Sequence, residues 1–282
     1  MKKNMSKAIA LLLASCLIIA SFTGCSNPFR SENEFKKTDK GYGFYRYSDS
    51  STSVSFTVTD EYEGEKVTEL MPFCLSNAQY LESLYIGKNI DTIDCWSLTN
   101  CPALKEIIVD PENEYFTSQD GVLYNKDMTK LLVYPNSRSK ITRDNNGNVT
   151  GGGEFTVPES VTEIGDNAFY LCSELYKITF NEKLEKIGTM AFIKCYSLCE
   201  LKLPSSLKEL GTDAFSYCDS LKIVEIPSSV TKIGDYAFFS TASNIEKIIV
   251  NSKEENVELG SDWIPDKAGS VGSKVPVEFV GG

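Results

Sequence analysis

There is no histidine anywhere in this chain of 282 residues. That absence removes Ser-His-Asp and Cys-His catalysis, and every zinc site that relies on imidazole. Basic residues are outnumbered, 28 against 39 acidic ones. Three of the 28 (Lys2, Lys3 and Lys7) fall in the first 24 residues, which hold no acid, so the remainder sets 25 bases against 39 acids. Such a balance argues against nucleic acid and against flat contact with anionic lipid. Carboxylate-pair chemistry stays formally open to so acidic a chain. No pair of acids recurs in a pocket-forming context, however, so catalysis is not expected and neither is a cofactor.

Cysteine is present, but not in a metal-binding pattern. Beyond Cys16 and Cys25 there are seven: Cys74, Cys95, Cys101, Cys172, Cys195, Cys199 and Cys218. The number is odd and no two are spaced C-x-x-C, so zinc is not expected and no metal site is assigned. A buried free cysteine is simply a small apolar residue, and that is the role expected of the repeated ones.

What the chain does have is a sentence said four times. Val161, Leu184, Leu207 and Val230 open the copies, at a step of 23 residues. Ile164, Ile187, Leu210 and Ile233 start each frame. Ala168-Phe169, Ala191-Phe192, Ala214-Phe215 and Ala237-Phe238 follow, and then Cys172, Cys195 and Cys218, with Thr241 in the fourth copy. Each copy closes on an L-x-x-I-x-I run such as Leu221, Val224 and Ile226, whose alternation is that of a half-buried strand. The Ile-Gly step is expected to need a glycine at positive φ in a tight turn. Ala-Phe-x-x-Cys is expected to form a short helical turn. A fixed period in the low twenties with a Leu/Ile frame marks a leucine-rich-repeat solenoid, in which stacked copies bury what one copy cannot.

The pattern resembles the BspA-like leucine-rich-repeat family, whose motif reads roughly P-x-x-V-x-x-I-G-x-x-A-F-x-x-C-x-x-L-x-x-I-x-I. Pro158, Pro204 and Pro227 stand where that motif begins. The resemblance implies a curved bacterial surface protein that binds other molecules, and it implies no enzymatic activity. The expected fold is a right-handed coil of short β-strands and short helical turns, β-rich, with a β-hairpin insertion and terminal caps.

Taken in order, residues 1–24 read as an export signal, with a cationic start and an apolar run from Ala8 to Phe22. The run ends in Phe22-Thr23-Gly24-Cys25, which is similar to a bacterial lipobox. That likeness implies cleavage before Cys25, lipidation of its sulfur, and a membrane-anchored lipoprotein at the extracytoplasmic cell surface. Residues 25–40 read as a tether and 41–66 as an N-terminal cap. Residues 67–109 carry two degenerate repeats, with Cys74-Leu75 and Ser97-Leu98 in place of Ala-Phe.

Residues 110–157 form a hairpin insertion, in which Val122-Leu123-Tyr124 and Leu131-Leu132-Val133-Tyr134 flank one turn and Asn146-Gly147 marks a second. A calcium loop around Asp144 is set aside, because Gly147 as its turn glycine places Thr142 and Gly153 where Asp and Glu are needed. Residues 158–250 are the regular 23-residue repeats and 251–282 a C-terminal cap.

A solenoid binds most naturally through the outward positions of its strands, which stack in columns. These are Ser83 and Tyr85, Glu106 and Ile108, Lys177 and Thr179, Glu200 and Lys202, Ile223 and Glu225, and Lys247 and Ile249. Tyr85, Ile108, Ile223 and Ile249 are expected to stand as apolar groups in water, which suits a protein partner on a host or neighbouring cell. The alternative is a glycan-binding accessory protein of the envelope. Tyrosines such as Tyr42, Tyr45 and Tyr47 could stack on sugars, although covering the core is their plainer role.

Overall fold

The computed structural model describes residues 33–48, 54–138, 140–146, 149–239, 244–267 and 270–280. The export signal, the lipobox and Cys25 lie outside the described residues, as do Gly147 and Thr241. The chain winds as a β-solenoid with two short strands per coil. Among the described residues the one helical element is a three-residue 3-10 turn, Glu254–Asn256.

The first strands of the regular coils build one long ladder. Glu163–Ile164, Lys186–Ile187, Glu209–Leu210 and Lys232–Ile233 pair parallel and in register, and Glu258–Leu259 adds a further rung. The stretch read as a C-terminal cap therefore carries another turn of the coil. At the other end Lys130–Val133 joins the ladder through Leu131 opposite Ile164. That strand runs antiparallel to Val122–Asn125, which runs antiparallel to Phe116–Gln119, so the first expected hairpin is present. The second is too: Thr142 pairs with Gly151 and Arg143 with Val149. Further toward the N-terminus, Glu34–Thr38 and Gly41–Arg46 form an antiparallel pair laid against Glu65–Leu70.

The glycine of the Ile-Gly step corrects its expected role. Gly165, Gly188, Gly211, Gly234 and Gly260 are not among the residues with positive φ. They stack in a column instead, and a Cβ on Gly234 would sit 2.5 Å from the carbonyl carbon of Gly211. The requirement is close approach between coils, not an unusual dihedral.

Ala-Phe-x-x-Cys is likewise not a helix but a train of linked turns. The residue before Ala and the second residue after Phe take left-handed φ: Asn167 at 58° and Leu171 at 58°, Met190 at 54° and Lys194 at 61°. Alternate amides then point along the solenoid axis. Phe169 N donates to Ala191 O at 2.7 Å and Leu171 N to Ile193 O at 3.0 Å, while Tyr170 N and Cys172 N close turns within the coil. A helix would spend all of these donors locally. The turn train uses half of them to bind the next coil.

Inside, the phenylalanines form a continuous stack. Phe169–Phe192, Phe192–Phe215 and Phe215–Phe238 have centroids 4.6, 5.0 and 5.6 Å apart, with the last two pairs within 4° of parallel. Tyr134 extends the stack at 4.8 Å from Phe169. Each of these rings is buried, and full burial of a Phe side chain contributes about 1.5–3 kcal/mol.

The cysteines sit beside the stack. The thiols of Cys195 and Cys218 donate to Phe169 O and Phe192 O of the preceding coil, at 3.3 and 3.1 Å. Among the described residues no disulfide joins the cysteines, of which Cys74, Cys101, Cys172, Cys195 and Cys218 are buried. The core falls into two clusters that meet at Val122–Asn125. Leu123 packs into the N-terminal cluster, while Val122 and Tyr124 pack into the C-terminal one, as alternation along a strand requires.

A candidate binding groove on the strand face

The second strand of each coil carries the columns expected to bind. These strands form three separate sheets rather than one. Ser55–Thr57, Ser83–Ile86 and Glu106–Val109 make the first. Glu154–Thr156, Lys177–Thr179 and Glu200–Lys202 make the second. Ile223–Ile226, Lys247–Val250 and Val277–Phe279 make the third. Among the described residues no ladder pairing joins Glu200–Lys202 to Ile223–Ile226. The face is interrupted there.

All twelve expected residues lie on outward positions, alternating with buried ones everywhere except at the half-buried Leu201. Their exposure differs, however. Ile223 is 58% exposed and Ile108 41%. Tyr85 and Ile249 are only half-buried, not free in water. The Tyr85 hydroxyl donates to Asp110 Oδ2 at 2.6 Å. Burial first, and that bond second, push its phenol pKa up.

The interruption opens a groove of about 560 Å³. It gathers five of the twelve: Lys177, Thr179, Glu200, Lys202 and Ile223. The other seven do not line it, which corrects the expectation of one continuous binding face. Ser83, Tyr85, Glu106 and Ile108 belong to the first sheet. Glu225, Lys247 and Ile249 lie on the third sheet, beyond Ile223. Glu225 is exposed, but its carboxylate is turned to its own sheet: Oε1 accepts from the Asn251 side-chain amide at 2.8 Å. Lys247 is paired with Glu278 in the next strand.

Lys177 sits opposite both Glu154 and Glu200 and pairs with Glu200 at 2.7 Å. The hydrogen bond to Glu200 raises the Lys177 pKa. Such an exposed pair contributes at most about 1 kcal/mol to stability, so it serves position more than strength. The apolar wall is Ile223 with Phe180, Leu201 and Pro204.

Leu201 is half-buried, whereas its counterparts Ile178 and Val224 are buried. Nothing in the repeat frame announces this, since Leu201 stands in the same slot as the other two. Glu182 and Cys199 also line the groove and were not expected to. Glu182 is fixed by the Ser205 hydroxyl, which donates to its Oε2 at 2.9 Å. Its place in the turn after a strand gave no sequence signal for a site.

The tyrosines named for sugar stacking are engaged in the N-terminal sheet. Tyr42 donates to Glu63 Oε2 at 2.7 Å, Tyr47 packs on Phe56 at 4.8 Å, and Lys36 Nζ lies 3.2 Å from the Tyr45 ring centroid.

Two ladders per coil, a stacked phenylalanine column and an outward strand face define a leucine-rich-repeat solenoid. The chain belongs to the BspA type leucine rich repeat family, whose model matches six copies over residues 43–148 and 148–261. Its fold is similar to that of the pneumococcal vaccine antigen PcpA, with a TM-score of 0.56 at 24% identity, over 73% of this chain and 54% of that one. It is similar again to a leucine rich cell surface protein from Faecalibacterium prausnitzii A2-165, with a TM-score of 0.54 at 23% identity, over 77% of this chain and 60% of that one. At these identities the likeness concerns the fold. The chain matches little more than half the length of either protein. No curated protein sequence matches significantly.

Proposed function

We propose that this protein is an extracytoplasmic surface lipoprotein, anchored through Cys25, that binds a protein partner by its strand face and catalyses nothing. The observation that carries the binding assignment is the groove between Glu200–Lys202 and Ile223–Ile226. There an exposed isoleucine stands beside oriented charges of both signs. An apolar anchor with a polar rim is what a protein interface uses. The surface location is supported by the likeness to the Faecalibacterium cell surface protein. Anchoring rests on the sequence around Cys25. Acyl chains contribute about 0.8 kcal/mol per buried methylene, so two or more would hold the protein to a membrane face.

The test uses the full-length protein and Ile223→Asp, immobilised and challenged with purified host matrix proteins and with isolated bacterial surface proteins. Capture by the wild type, lost in Ile223→Asp and kept in a long-ladder control such as Glu209→Gln, is the expected result. Capture indifferent to Ile223→Asp would overturn the assignment of the face. Labelling with an acyl-chain analogue, present in wild type and absent in Cys25→Ala, tests the anchor separately.

A further inference from the structure

A second groove of about 470 Å³ opens at the N-terminal coils, lined by residues of the first-strand side. It is distinct from the strand-face groove and contains none of its residues. On its floor lies Thr68, in strand Glu65–Leu70, which is only 5% exposed. Its hydroxyl oxygen is buried and has no hydrogen-bond partner. Leaving such a group unsatisfied costs about 1–3 kcal/mol, and valine would fill the same space without that cost. Because Thr68 also lines the open groove, a ligand seated there with a hydroxyl of its own can satisfy it.

The walls narrow the chemistry. Lys40, Lys66 and Lys88 face Asp91, Glu112 and Glu114, so the formal charges cancel. Lys40 is already bonded to Asp91 at 3.0 Å and Lys88 to Glu112 at 2.9 Å. These bonds are the largest cause of the raised pKa of each lysine. Among the described residues Lys66 and Glu114 make no ion pair. An anion drawn to Lys66 would meet the three carboxylates, and a cation drawn to Glu114 would meet the three ammonium groups. A neutral ligand with many hydroxyls meets no such opposition and can both donate and accept.

Tyr115, 51% exposed, forms one side. Its backbone is held firmly: Tyr115 N donates to Asn113 Oδ1 at 2.9 Å, and the buried Asn113 amide donates to Gly87 O and Ile90 O, both at 2.9 Å. A rigidly based, exposed aromatic ring offers a surface for the C–H face of a pyranose.

We propose that this groove is a subsite for one neutral saccharide unit, with Thr68 bonding a ring hydroxyl, Lys66 and Glu114 bonding others, and Tyr115 covering the apolar face. The volume is in the range of small-ligand sites, about 300–1,000 Å³. The assignment is independent of the strand-face reading and stands or falls separately from it.

The test is saturation-transfer NMR on the full-length protein with methyl β-glucopyranoside, methyl β-galactopyranoside, methyl α-mannopyranoside and methyl N-acetyl-β-glucosaminide, with sulfate as competitor. We expect at least one glycoside to bind saturably. Thr68→Val and Tyr115→Ala should each weaken it about tenfold or more, that is by about 1.4 kcal/mol, with Ile223→Asp without effect. Thr68→Val should unfold at or above the wild-type midpoint, because it removes an unpaired buried hydroxyl. Three results would each overturn the proposal: no saturable binding of any glycoside, binding unchanged by Thr68→Val, or full displacement by sulfate, which would make the groove an anion site.

Discussion

Gly211 lies against Gly188 so closely that a Cβ on Gly211 would stand 2.5 Å from the Gly188 carbonyl carbon. Neither glycine has positive φ, so the position is closed by contact and not by backbone conformation. Gly211→Ala must therefore push two coils apart, at a cost of about 2–3 kcal/mol. Gly64 offers the opposite case, with φ of 79° and open space where a Cβ would go. Gly64→Asn should cost less than about 1 kcal/mol, since asparagine tolerates the left-handed region. Denaturant midpoints of the two variants check the distinction.

Phe192 stacks between Phe169 and Phe215, at 4.6 and 5.0 Å. Phe192→Ala should cost about 3–5 kcal/mol. Phe192→Leu should cost markedly less, about 1–2 kcal/mol. Leu75 and Leu98 already fill this slot in the N-terminal coils, both buried, so the coil accepts leucine. An equal loss from the two variants would contradict this account of the core.

Burial pushes the thiol pKa of Cys74 and of Cys172 well above the ordinary value of 9.0. The folded state thus keeps these protons at a pH where the unfolded chain has released them. Their contribution is fully present below pH 9.0 and is lost progressively as the pH rises beyond it. Each such thiol steepens the decline by up to about 1.4 kcal/mol per pH unit. Unfolding midpoints should fall above about pH 9. Cys172→Ala should be less stable at neutral pH and decline less steeply with alkali.

One column of the long ladder alternates in sign: Lys130, Glu163, Lys186, Glu209, Lys232 and Glu258 stand opposite one another in turn. Lys130 bonds to Glu163 at 2.9 Å, and Lys186 approaches the same carboxylate at 3.7 Å. Lys186→Glu would set three carboxylates in consecutive coils and should cost about 1 kcal/mol. The cost should shrink in about 1 M salt, where the screening length is about 3 Å. A salt-independent loss would assign it to packing instead.

The frame of the fold was readable because its residues repeat. Ile164, Phe169, Cys172 and their counterparts stand at fixed offsets, and each is buried where the period placed it. The outward strand positions followed from simple alternation. What escaped were features that do not repeat. Tyr134 joins the phenylalanine stack from a coil with no recognisable motif. The break beside Ile223 appears only when neighbouring coils are set side by side, and it separates Glu225 from the charges it was grouped with. Thr68 is one threonine in an ordinary strand pattern, and only its burial without a partner distinguishes it. The glycine column shows a subtler limit, since the residue was legible but its reason was not. A sequence gives the dihedral preference of glycine, while the approach of another coil is a fact of tertiary structure.

Strand Val122–Asn125 sends Leu123 into one core cluster and Val122 with Tyr124 into the other. A solenoid of identical coils would be a uniform spring, equally ready to give way anywhere along its length. This chain instead carries a bulkhead. Val122 and Tyr124 face the regular coils and Leu123 the N-terminal ones, so a substitution at Leu123 disturbs the N-terminal core first and one at Tyr124 the core of the regular coils.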